Sequence, residues 1–220
     1  MKKFWLNNNL SIVLIAIFIF SIVGMSFAGW LDTNEELIDR KQPTQSYGEF
    51  VVSGDFIEGV FENWESEFLQ MFALVVLTIW LRQKGSEDSK PMRGPAEQDT
   101  SSRYSIINAS TWPKRKKAIG HALYSHSLSI ALAALFVFSF TLHAIGGTEA
   151  YNEDARYYGS PTVSVVEYIT TSRFWYESLQ NWQSEFLAVA TLLLLSIKLR
   201  ERGSPESKAI GTRYDHKTGK

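Results

Sequence analysis

Leu10-Ser11-Ile12-Val13-Leu14-Ile15-Ala16-Ile17-Phe18-Ile19-Phe20-Ser21-Ile22-Val23-Gly24-Met25-Ser26-Phe27-Ala28 is a run of 19 residues without a charge. At about 1.5 Å per residue it crosses a hydrocarbon core of about 30 Å, so it reads as a membrane-spanning helix. Residues 128–147 form a second such run, 20 residues long. Lys2 and Lys3 before the first run, and Ser26-Phe27-Ala28 at its end, also resemble a cleavable signal peptide. The copy in mid-chain weakens that alternative, because no signal-peptidase substrate belongs there.

The two runs are parts of a longer repeat. Residues 10–90 match residues 128–208 at a constant offset of 118 with no gap, and 31 of the 81 aligned pairs are identical. Unrelated chains of average composition match at roughly one position in sixteen, so this is a duplication. The strongest blocks are Asn63-Trp64-Glu65-Ser66-Glu67-Phe68-Leu69 with Asn181-Trp182-Gln183-Ser184-Glu185-Phe186-Leu187, and Leu81-Arg82-Gln83-Lys84-Gly85-Ser86 with Leu199-Arg200-Glu201-Arg202-Gly203-Ser204. Asn34-Glu35 with Asn152-Glu153 and Pro43-Thr44 with Pro161-Thr162 match as well.

Each repeat holds a further apolar stretch, residues 68–81 and 186–199, of only 14 residues. Upstream, Phe56, Val60, Phe61, Trp64 and Phe68 recur at three- and four-residue spacing. A helix is therefore expected to start near Asp55, with Asp55 and Glu58 as an N-terminal cap, and to run into the membrane. Gly85 and Gly203, after basic residues, read as its stop signals. The expected architecture is all-α, with four transmembrane helices at about 10–28, 64–81, 128–147 and 182–199. These form two tandem hairpins, residues 1–90 and 118–208, related by a pseudo-two-fold axis along the membrane normal. Residues 91–117 read as a flexible linker and 209–220 as a tail.

Charge gives the orientation. Residues 1–9, 82–127 and 198–220 hold 18 Lys and Arg, against 4 in residues 29–67 and 147–185 together. By the positive-inside rule both termini and the linker are cytoplasmic. Trp5, Trp30, Trp64, Trp80 and Trp112 lie near expected helix ends, as indole rings favour the headgroup region. Cysteine is absent and the net charge is -1, which excludes disulfides, thiol chemistry and a globally basic nucleic-acid binder. Lys114-Arg115-Lys116-Lys117, next to a membrane helix, suits anionic lipid headgroups better than nucleic acid.

Lys3-Phe4-Trp5-Leu6-Asn7-Asn8-Asn9-Leu10-Ser11, the Asn63 to Leu69 block and the Leu81 to Ser86 block together resemble a family of uncharacterised bacterial membrane proteins that carries a domain of unknown function. The resemblance covers most of the chain. It implies a bacterial cell (inner) membrane and supplies no activity.

The polar motif offers the one candidate site. Asn63 and Glu67, like Asn181 and Glu185, are four apart and share a helix face, with Ser66 and Ser184 beside them. Counted from Arg82, Glu67 lies 15 residues or about 22 Å away, roughly 8 Å inside a core of about 30 Å. A carboxylate there faces the bundle interior, is protonated or is paired, and two such sets suit a proton or a metal cation. A slide of one turn instead leaves Glu67 at the wet interface. His143, near the outer end of the third span, is a candidate partner for Glu185. His121 and His126, five apart, have poor ligand spacing.

No nucleophile, base and orienting group occur together, and no phosphate-cradling loop is present. The expectation is a non-enzymatic membrane protein without cofactor that associates with itself or with other membrane proteins, Ala131, Ala133, Ala134 and Ser139 permitting close helix approach. The alternative is a small proton or cation transporter or channel using Glu67 and Glu185.

Overall fold

The computed structural model describes residues 2–86, 88–94, 96–99 and 123–213. Among them the chain is all-helical, without a strand. The helices are α1 (Lys2–Asp39), α2 (Tyr47–Phe50), α3 (Gly54–Trp80), α4 (Ser127–Tyr157), α5 (Val165–Tyr168) and α6 (Ser172–Lys198), with a short 3-10 turn at Glu97–Asp99. Two of these, α1 and α4, are long and apolar enough to cross a membrane.

Both run past their apolar segments. At 38 residues α1 is about 57 Å long, and α4 has 31 residues. Residues 30–39 contain no Gly or Pro, so nothing breaks the helix until Lys41. There the backbone turns left-handed, with Lys41 at φ 57. Lys41 N–H bonds Ile38 C=O at 2.9 Å and Gln42 N–H bonds Leu37 C=O at 2.8 Å, the pairing of a Schellman cap. α4 ends alike at Gly159, φ 68, where Gly159 N–H bonds Arg156 C=O and Ser160 N–H bonds Ala155 C=O.

The links to α3 and α6 follow one recipe. Asn34 donates from Nδ2 to Gln45 C=O at 3.0 Å and accepts Gln45 N–H on Oδ1 at 2.8 Å. Asn152 clamps Val163 in the same way, at 2.9 and 2.8 Å. Such a side-chain amide does for an extended segment what a neighbouring strand would. Next come two reciprocal capping boxes, Ser46 with Glu49 at α2 and Ser164 with Glu167 at α5. The following long helices start on hydroxyls: Phe56 N–H bonds Ser53 Oγ and Phe174 N–H bonds Thr171 Oγ1, each at 3.3 Å. Ser53, rather than Asp55 with Glu58, is thus the cap of α3, and Glu58 is buried.

The far ends also differ from expectation. α3 stops at Trp80 and α6 at Lys198, several residues before Gly85 and Gly203. These glycines, at φ 88 and 89, serve the turn that follows instead. Each turn is closed by a serine: Gln83 N–H bonds Ser89 Oγ at 2.8 Å, and Glu201 N–H bonds Ser207 Oγ at 2.7 Å.

Two compact units make up the chain, one of residues 1–62 and 140–175, the other of residues 63–139 and 176–220. In the first, backbone meets backbone. A Cβ added at Gly54 would lie 2.6 Å from Ala150 N, and one at Gly146 would lie 2.6 Å from Glu58 N, so only glycine admits this approach of α3 to α4. The second unit contains an aromatic contact between Phe136 and Trp182, ring centroids 6.5 Å apart.

Candidate functional site

The first unit has a buried polar core. Glu58, on the second turn of α3, is almost fully enclosed, and the wholly buried Tyr168 hydroxyl donates to its Oε1 at 2.9 Å. Gly147 makes the space: a Cβ there would stand 2.6 Å from both Glu58 Oε1 and the Tyr168 hydroxyl. At Gly29 a Cβ would instead meet the Phe50 ring at 2.8 Å, an apolar contact without a hydroxyl. His143, also wholly buried, stacks on Phe174 with centroids 4.8 Å apart and planes at 24°. An imidazole nitrogen lies within 4.8 Å of a Glu58 carboxylate oxygen. Phe140 and Tyr168 pack edge-on against Phe174, and Ala144 completes the apolar shell. A carboxylate, a phenol and an imidazole enclosed in this way can hold a proton, and the carboxylate and imidazole are ligand types for a cation.

Beside this core, the same unit has a polar cavity of about 710 Å³. Arg40 is central to it. Its guanidinium bonds Asp154 Oδ1 at 3.0 Å and Glu36, and lies 4.9 Å from the Tyr157 ring centroid. Arg173 approaches the other Asp154 oxygen at 3.5 Å. The hydrogen bond to Asp154 holds the Arg40 pKa above its ordinary value. Asp55 lines the same wall. Partial removal from water, then the charges of Asp154 and Glu36, push its carboxyl above the usual aspartate range, against the pull of Arg173 and Arg40.

The residues singled out from sequence divide by burial. Ser66 and His143 are buried, Asn181 and Glu185 half-buried, and Asn63, Glu67 and Ser184 exposed. Ser66 and Ser184 turn their hydroxyls back to the carbonyls of Asn63 and Asn181, both at 2.8 Å. Glu67 and Glu185 are near enough for their charges to repel. The enclosed carboxylate of this stretch is Glu65, wholly buried and bonded by Trp182 Nε1–H at 2.9 Å. Two residues are about 200° around a helix, so Glu65 and Glu67 face opposite ways, while Glu58 and Glu65, seven apart, share a face. That i, i+7 spacing was the available signal. His126 is exposed. Lys114, Arg115, Lys116, Lys117 and His121 lie outside the described residues.

Among the described residues the chain is helical throughout, with two helices long and apolar enough to cross a membrane and with carboxylates enclosed beside aromatic rings, and that is the class which fold and site define. A family model described as Domain of unknown function (DUF6766) matches residues 1–220, and the chain belongs to that family. No curated protein and no solved structure matches it.

Proposed function

We propose that the protein is a non-enzymatic integral membrane protein with four spanning helices, residues 10–28, 64–81, 128–147 and 182–199, that associates with copies of itself or with other membrane proteins. The observation that carries this reading is the surface of α1. Only 6% of its most apolar window is buried, and 17% in α4, whereas a core helix of a soluble protein is mostly covered. Phe4, Leu6, Leu10, Phe20 and Ile38 stand in the open, a surface that calls for lipid or a neighbouring helix. Residues 68–80 and 186–197 carry no charge, which supports spans at the ends of α3 and α6 after acidic beginnings. The matched caps, clamps and boxes, each pair 118 residues apart, support two tandem hairpins, residues 1–90 and 118–208, about a pseudo-two-fold axis along the membrane normal.

In this reading the membrane is a bacterial inner membrane, both termini are cytoplasmic, and Lys114 to Lys117 meet anionic headgroups. Single cysteines test it cleanly, since the chain has none of its own. Cysteines at Gln42 and Ser160 are expected to react with an impermeant maleimide in intact cells, and cysteines at Lys84 and Arg202 only after lysis. Labelling of Lys84→Cys from outside would overturn the four-span topology. Association is read from the mass of the detergent-solubilised chain, and a strict monomer with no co-purifying membrane protein would reject it.

A second reading, movement of a proton or cation, is favoured by the enclosed carboxylate Glu58 with His143 in the first unit. Proton or sodium flux into proteoliposomes that survives Glu58→Gln would remove it.

A further inference from the structure

In the first unit α3 and α4 touch with no long side chain between them. A Cβ added at Gly54 would stand 2.6 Å from Ala150 N, 2.8 Å from the Gly146 carbonyl oxygen and 2.9 Å from Glu149 Cβ. One added at Gly146 would stand 2.6 Å from Glu58 N and 2.8 Å from Ile57 Cγ2. Backbone packed on backbone has nothing flexible to give way, so a small change of spacing makes or breaks the contact. Glu58 lies directly behind it, enclosed against Gly147 and the Tyr168 hydroxyl.

Two carboxylates flank this contact. Asp55 follows Gly54 on α3, Glu153 lies three residues after Ala150 on α4, and both line the cavity of about 710 Å³ together with Ala150. Among the described residues neither makes a hydrogen bond or an ion pair. The neighbouring cations are engaged on other acids: Arg40 on Asp154 and Glu36, Arg173 on Asp154, and Arg156 on Glu149. The charges facing Asp55 are Asp154, Glu36 and Glu153 against Arg173 and Arg40, and those facing Glu153 are Asp55, Glu149 and Asp154 against Arg156. Partial removal from water, and then this repulsion, hold both carboxyls above their ordinary range.

We propose that Asp55 and Glu153 form a proton-operated clamp on the α3–α4 contact. With a proton on either carboxyl the two backbones stay in touch and Glu58 is shut off from the cavity. With both ionised the helices part at this point and the cavity reaches Glu58. The repulsion acts between one carboxylate on each helix, so separating the helices relieves it. The clamp deepens the second functional reading, since Glu58 is the carboxylate that it uncovers. A clamp that opens in a protein without flux stands while that reading falls.

The test is backbone amide hydrogen exchange of the full chain in detergent, read on the peptide covering residues 54–62 from about pH 4 to about pH 8. The parent is compared at each pH with the Asp55→Asn, Glu153→Gln double variant, so that the intrinsic pH dependence of exchange cancels. The variant lacks the repulsion and is expected to fold at least as well as the parent. The two are expected to be equally protected at the acid end, and the parent to lose protection several-fold against the variant as pH rises and both carboxyls ionise. A ratio that stays constant with pH, or a loss shared equally by residues 10–28 of α1, overturns the clamp.

Discussion

Tyr168 and Gly147 act as one feature. Removing the hydroxyl in Tyr168→Phe leaves the enclosed Glu58 short of a donor and is expected to cost about 1–3 kcal/mol. Gly147→Ala places a carbon against both partners of that bond and is expected to destabilise at least as much, whereas Gly29→Ala meets only the end of a ring that can tilt. Thermal midpoints in detergent rank the three. Asp55 gives a pH signature. Its raised pKa means that the folded state disfavours the ionised form, so the stability it contributes falls as pH climbs from the ordinary aspartate range to the raised value. Asp55→Asn is therefore expected to unfold at a higher temperature than the parent at pH 7. The two curves should meet below about pH 3.9, where the carboxyl is protonated in both states. A gap that stays constant with pH would rule this account out. Sequence alone found His143 and Ser66 as candidates but missed Glu65, because burial depends on which way a helix is rotated. The identity of Glu67 with Glu185 across the repeat drew attention to the opposite face.

Among the elements, helix existence was legible and helix length was not. Apolar runs mark where a helix can be covered by lipid, but α1 and α4 continue until a left-handed residue stops them, and Lys41 carries no sequence signal for that role. Gly159 does. Lys41 holds φ 57 with a side chain that disfavours it, so Lys41→Gly is expected to stabilise by up to about 1 kcal/mol, less what glycine adds to the freedom of the unfolded chain. The asparagine clamps were visible as matched Asn34-Glu35 and Asn152-Glu153, yet their purpose appears only when the extended residues Gln45 and Val163 are seen between the amide's two ends. Aspartate has the same shape but sets an oxygen against Val163 C=O. Asn152→Asp is expected to open the link before α5 and to raise its rate of proteolysis, with α5's capping box as the internal standard.

At the scale of the whole chain, neither unit is continuous in sequence: the first takes residues 1–62 from one half and 140–175 from the other. Arg40 with Asp154, Glu58 with Tyr168 and Gly54 with Ala150 all join the two stretches. Fragments 1–100 and 118–220 expressed apart are expected to be degraded, and expressed together to co-purify; a stable 1–100 fragment would contradict this. The same arrangement has a consequence for synthesis. Tyr168 follows Glu58 by 110 residues, which take about 6 to 22 s to make at about 5–20 residues per second, and through that interval Glu58 has no Tyr168 to meet. The growing chain therefore passes through a timed stage with an unsheltered carboxylate, which is the moment when an insertase or a protease would have its clearest hold on it.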